Sequence, residues 1–388
     1  MVAKRREVLG LLGAALIAGT LLAACTGSIA APEGWSGPVV VENVLYIGAR
    51  DGHILALDRS KLARIEKLTD KSLKNSDALV WQFPRSDQKL DTQAIYSNPV
   101  VQGDTVYAAV NLRLPSSGPL NGNTYEGRIY ALDATNKGSE VWTFKTAGQI
   151  YSDPLLAGGV LYLTDDKGWL YALDTITGLK KWTFKLSSGR LWATPALANG
   201  VLYVSGMDKK VYAVSADNGT QVWSTPFNAG GAIASSPLIV GDTVYVGAFD
   251  RKMHAIDRAT GQGKSNFDAS DWIWNNAVSV DGLIYFGTLG GRYYALRSDT
   301  LAPVWQFPSD SDQSNYSAFR GTPVLAGDKL VLTTRNGNVL VLNRKTGDVL
   351  SSVSVEAKVL ASPAVSSDGK IYIADISQQL HQLPLPKA

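Results

Sequence analysis

Three histidines, one cysteine and a recurring set of aromatic residues joined by an arginine are the side chains of this 388-residue chain whose types could do chemistry. A metal centre needs several His, Cys, Asp or Glu ligands brought together, whereas His53, His254 and His381 stand alone and one Cys excludes a Cys-based zinc site or a disulfide framework. Asp310-Ser-Asp312 comes nearest to a calcium loop and lacks the Gly and bidentate Glu that complete one. No Ser-His-Asp or metalloprotease spacing occurs, and Gly287-Thr-Leu-Gly290-Gly291 reads as a turn between strands rather than a phosphate loop opening a helix. The expectation is no catalytic residue and no metal. Binding is a different matter. Trp35, Tyr96, Tyr151, Trp192, Trp274 and Arg320 offer π faces and a guanidinium, groups suited to a peptide segment, a sugar or a planar ligand.

The cysteine has its own setting. Lys4, Arg5 and Arg6 precede an uncharged run from Val8 to Ala24 that ends Leu22-Ala-Ala-Cys25, the layout of a signal peptide and too short for a comfortable membrane span. This ending resembles the bacterial lipobox, which implies removal of residues 1–24 and lipidation of Cys25, followed by a tether over 25–35. Arg5-Arg6 is also compatible with twin-arginine export. Losing three basic residues and one acidic residue lowers the formal charge from +3 to +1. That balance argues against a nucleic-acid partner.

What must position the aromatic set is an internal repeat. VLYLTDDKGWLYALDTITGLKKWTF, starting at Val160, returns as VLYVSGMDKKVYAVSADNGTQVWST from Val201, with further variants along the chain. Pro38, Pro99, Pro154, Pro195, Pro237, Pro323 and Pro363 open successive units, with Ala277 in the sixth, at spacings of 61, 55, 41, 42, 40, 46 and 40 residues. Each unit carries a two-residue turn, an alternating strand centred on Tyr (Val331 once), a third strand such as WLYALD, and in its clearest copies an Asp-x-x-Thr-Gly turn leading to a Trp. His254 and His381 occupy the slot of Tyr171 and Tyr212, so they are expected to pack rather than catalyse. The fold expected over residues 36–388 is all-β, an eight-bladed β-propeller of four-stranded antiparallel blades, preceded by a lipoprotein signal peptide.

These repeats resemble the tryptophan-docking units of the pyrroloquinoline-quinone-like propellers. With the lipobox and this length, the chain is similar to the BamB-like lipoproteins among them. The resemblance implies a noncatalytic scaffold of the bacterial envelope that binds a protein or envelope polymer. The same repeat class also contains quinone-dependent oxidoreductases, which implies the alternative of pyrroloquinoline quinone with calcium, or a small-ligand sensor. The loops Lys185–Pro195 and Phe227–Pro237 lack the Leu-x-Leu-Arg and Asp-x-Asp by which the scaffolds hold their partner, so no partner residue is carried over.

Strand alternation sorts the loops onto two faces. One face receives the long entries 84–95 and 308–319, the insertion 111–126, Trp169, Trp272 and the rim set from Trp35 to Arg320, three residues before each opening position. The other receives an insertion, 59–79, with Leu62, Ile65 and Leu68 at helical spacing, expected as a short amphipathic helix. The eighth unit has no fourth strand of its own, and residues 26–31 are the expected source of one. The resulting expectation is a monomeric, membrane-anchored binding scaffold held by lipid on the outer side of the cytoplasmic membrane, or on the outer membrane if the host has one.

Overall fold

Blade 3 shows how one unit folds. Its strands Leu155–Ala157, Val160–Thr164, Trp169–Asp174 and Lys180–Lys185 pair antiparallel in sequence order. Gly158 and Gly159 turn the first hairpin at φ of 56° and 74°, angles that a Cβ would oppose. Asp174 closes the later turn, its carboxylate accepting the Thr177 backbone N–H and hydroxyl, both at 2.9 Å. Those bonds hold the Asp174 carboxyl below the ordinary range.

A computed structural model describes residues 36–73, 76–114, 124–309 and 316–387. These residues form eight four-stranded sheets, the blades, with the short inner strands next to one another around the ring and blade 1 beside blade 8. The signal peptide, Cys25, Trp35 and Asp310-Ser-Asp312 lie outside the described residues, as do residues 26–31.

The seams between blades repeat a second rule. Trp142 of blade 2 donates from its indole N–H to the Thr175 carbonyl of blade 3 at 3.0 Å and lies on Gly178, where an added Cβ would come within 2.5 Å of the ring. Trp81, Trp182, Trp223 and Trp305 dock in the same way on Gly138, Gly219, Gly261 and Gly347. In blade 5, Ser265 stands where the Trp would be, and only the Tyr245 hydroxyl bond to the Ser298 carbonyl is kept, a bond that Tyr107, Tyr162 and Tyr203 make beside the Trp in their seams.

Closure of the ring corrects two expectations. Residues 59–79 are not an amphipathic helix: they form a 3-10 turn (Arg59–Lys61), a strand (Ile65–Lys67) and a four-residue helix (Asp70–Leu73) before blade 1 resumes at Leu79. Ile65–Lys67 pairs antiparallel with Gln379–Pro384 and is the fourth strand of blade 8, so blade 1 supplies the edge that residues 26–31 were expected to supply. Pairing with an open strand edge outweighs a three-residue helical spacing, because the backbone groups of Gln379–His381 find partners there. Leu68 then drops into a core of Leu45, Leu57, Tyr372 and Leu380. Arg59 stands in for the missing Trp of this seam. Its Nε donates to the Tyr372 hydroxyl at 3.0 Å, its guanidinium lies over that ring, and it pairs with Asp368.

The histidines behave as their slots require. His254 Nε2 lies 2.9 Å from Asp250 and His381 Nε2 lies 2.7 Å from Asp375, as the Tyr171 hydroxyl donates to Asp165 at 2.8 Å. Burial outweighs Asp250 and holds the His254 pKa below its ordinary value. His53 pairs locally with Asp51 at 3.0 Å.

Candidate functional site

Each loop that re-enters the channel is pinned by a buried apolar residue one place before the rim slot: Ile95, Ile150, Leu191, Ile233, Ile273, Phe319 and Val359. For Ile95, Ile273 and Phe319 a glycine ending the second strand (Gly48, Gly247, Gly287) makes room. A Cβ on Gly247 would lie 2.2 Å from Ile273. With the anchor fixed, the next side chain has one direction left, toward the channel mouth.

There the rim residues meet. Ring centroids are 4.9 Å apart for Tyr96 and Tyr151, 5.6 Å for Tyr151 and Trp192, and 6.3 Å for Trp192 and Trp274. Trp192 and Trp274 belong to the fourth and sixth slots; the fifth holds Ala234, small enough to let them touch across it. The arc continues through Phe249, stacked on Trp274 at 5.5 Å, to Trp272, stacked on Phe249 at 5.2 Å with planes 10° apart. Arg320 lies over the other end of the stack, 4.8 Å from the Trp274 centroid, and Arg190 lies 5.6 Å from that of Trp192. Five of the six rim candidates thus form one collar; Trp35 is not described. Trp272 ends the stack with 40% of its surface exposed.

Sequence reasoning missed the layer beneath. The residue just before each opening position is polar in seven units, and these residues build a hydrogen-bonded belt around the channel. The Asn98 N–H and side-chain amide both donate to Asp153, at 2.7 and 3.0 Å. The backbone N–H of Thr194 donates to Ser236, that of Ser236 to Asn276, and that of Thr322 to Ser362. The signal was visible as a polar residue before almost every opening Pro, but its meaning depends on a partner some 40 residues away. Phe249 was also missed, because it enters the stack from a different loop.

Burial pushes the Asp153 carboxyl up to about 6, against the two bonds from Asn98 that favour its charge. Part of its surface still faces the channel lumen. A carboxyl whose folded value exceeds its unfolded value of about 4 stabilises the fold when protonated, so this contribution is full below pH 4 and lost as pH rises through 6. The difference in unfolding free energy between the protein and an Asp153→Asn variant should therefore change by up to about 3 kcal/mol across that window. Denaturant titrations at several pH values measure it; a flat difference would show that Asp153 titrates normally. Burial likewise raises Tyr151, with Tyr96 beside it, and keeps the phenol protonated.

Collar and belt line a partly open cavity of about 100 Å³. Ligand pockets for larger organic molecules span roughly 300–1,000 Å³. The lining does not suit a tricyclic quinone with several carboxylates: among the described residues Arg320 alone carries positive charge there, and Asp153 opposes it. Among the described residues no group of three or more His, Cys, Asp or Glu is placed to hold a metal ion. What the arrangement can do is bind, through an exposed stacked surface outside and a small polar chamber within.

A family model described as outer membrane protein assembly factor BamB matches residues 75–262 and 185–381. Among curated proteins, an outer membrane protein assembly factor BamB of Legionella pneumophila (strain Paris) is 27% identical over 162 residues, 39% of this chain and 40% of that protein. The chain thus matches about two fifths of this relative's length. BamB from Moraxella catarrhalis superposes with a TM-score of 0.64 at 18% identity, over 91% of this chain and 96% of that one. The designed protein Ika8 gives 0.69 at 13%, with the same coverages. A europium-containing methanol dehydrogenase gives 0.62 at 16%, covering 87% of this chain and 81% of its own. These structural likenesses show the propeller fold, which an assembly factor, a designed protein and an enzyme share.

Proposed function

The chain belongs to the family of the outer membrane protein assembly factor BamB, and from that membership we propose that it is a noncatalytic scaffold of outer-membrane assembly that binds a protein partner at its aromatic collar. The observation that carries this reading is the stack Trp274–Phe249–Trp272, whose last ring is left exposed on a rigid face. Exposed tryptophans on a rigid scaffold supply large contact area at little entropic cost and are enriched where binding energy concentrates. Lipidation at Cys25 is part of the proposal: it would hold the propeller at a membrane surface, on the outer membrane if the host has one.

Trp272→Ala tests the reading, because the side chain contributes little to the core. Stability should stay within about 0.5 kcal/mol, while crosslinking of partners in intact cells should fall about tenfold. Unchanged crosslinking with an unchanged fold would place the partner surface elsewhere.

A further inference from the structure

We propose that the chamber beneath the collar binds a small zwitterion of the amino-acid class, with its ammonium toward Asp153 and its carboxylate toward Arg320. This goes beyond the scaffold reading and does not depend on it. Among the described residues, Asp153 and Arg320 are the only formally charged side chains lining the cavity. Asp153 precedes the first strand of blade 3 and Arg320 that of blade 7, four blades apart in a ring of eight, so the two charges stand on opposite walls. A dipolar ligand is favoured at both walls; a simple anion or cation is favoured at one and repelled at the other.

A second observation points to a ligand independently. The indole N–H of Trp192 has no hydrogen-bond partner among the described residues, although the side chain is only 8% exposed and lines this cavity. Buried donors are normally paired, and a carboxylate oxygen is a strong acceptor for one. Tyr151 and Trp192, in ring contact at 5.6 Å, line the same cavity as Asp153, and aromatic rings favour an ammonium. The volume, about 100 Å³, suits a few heavy atoms rather than a peptide or a disc-shaped cofactor.

The test is calorimetric titration of the full chain with glycine, γ-aminobutyrate and ε-aminocaproate, which separate the two charges by increasing lengths, and with the N-acetyl and carboxamide form of each. The expected result is an optimum at one length, with binding at least about tenfold weaker when either end is capped. Asp153→Asn should remove the penalty for acetylation, and Arg320→Gln the penalty for the carboxamide. If either variant fails to fold, the capped ligands on the unaltered protein still decide. Absence of heat at millimolar concentration for every length, or equal binding of capped and free forms, would overturn the proposal. Partner crosslinking through Trp272 reports on the scaffold and this titration on the chamber, so each can fail without the other.

Discussion

Replacing Trp223 by alanine should cost about 3–5 kcal/mol of stability, the range for deleting a large buried aromatic. The side chain is 2% exposed, packs 5.5 Å from the Tyr203 ring and donates to the Arg258 carbonyl of the next blade at 3.1 Å. Nothing nearby can collapse into the space, because the opposing surface is the backbone of Gly261, held at φ of 76°. The substitution therefore removes packing, leaves the Arg258 carbonyl with the Tyr203 hydroxyl as its remaining side-chain donor, at 3.1 Å, and loosens blade 4 from blade 5. Guanidinium denaturation followed by circular dichroism measures it. A loss under about 1 kcal/mol would mean that the seam is held by its hydrophobic face alone.

Leu68→Asp should be comparably damaging, by about 4 kcal/mol, because it places an unpaired charge in an apolar core. Leu68 is 3% exposed and follows directly on the closing strand. Its N–H donates to the Gln378 carbonyl at 2.8 Å, so its displacement pulls on the ladder that completes blade 8. Hydrogen exchange locates the effect: amides of Gln379 to Leu383 should lose protection before those of blades 3 to 6. Uniform loss across all blades would show that the closing strand is not an independent clasp.

The contrast between these two sites explains what could be read in advance. Trp223 announces itself because a repeat copies its neighbours along with it: Tyr203 and the Asn218-Gly219 turn before it, and four other tryptophans in the same register. His254 and His381 could be placed in a tyrosine slot for the same reason, though the aspartate each one faces there comes from the structure. Ile65–Lys67 has no such copy. Three residues carry too little pattern to declare a strand, and the edge that makes them one comes from Gln379–His381 at the far end of the chain. The collar lies between these cases. Its slots could be counted, but Ala234 counted as a gap in the aromatic series, whereas in three dimensions its smallness lets Trp192 reach Trp274. The belt was legible only as a habit of polar residues before proline, since its bonds run from one unit to the following one, most of them from a backbone N–H.

Completing blade 8 with a strand from blade 1 also sets an order of events during synthesis. Arg59 and Tyr372 lie 313 positions apart, so the earliest blade to leave the ribosome keeps one flank bare until the last strand has followed. Blades 2 to 6 can stack as they emerge, each completed by its own sequence. The apolar surface of Leu45, Leu57, Leu68 and Leu73 must wait for Tyr372 and Leu380. Whatever shields nascent chains from aggregation has this one flank to cover, and a product cut short before Gln379 would keep it bare permanently.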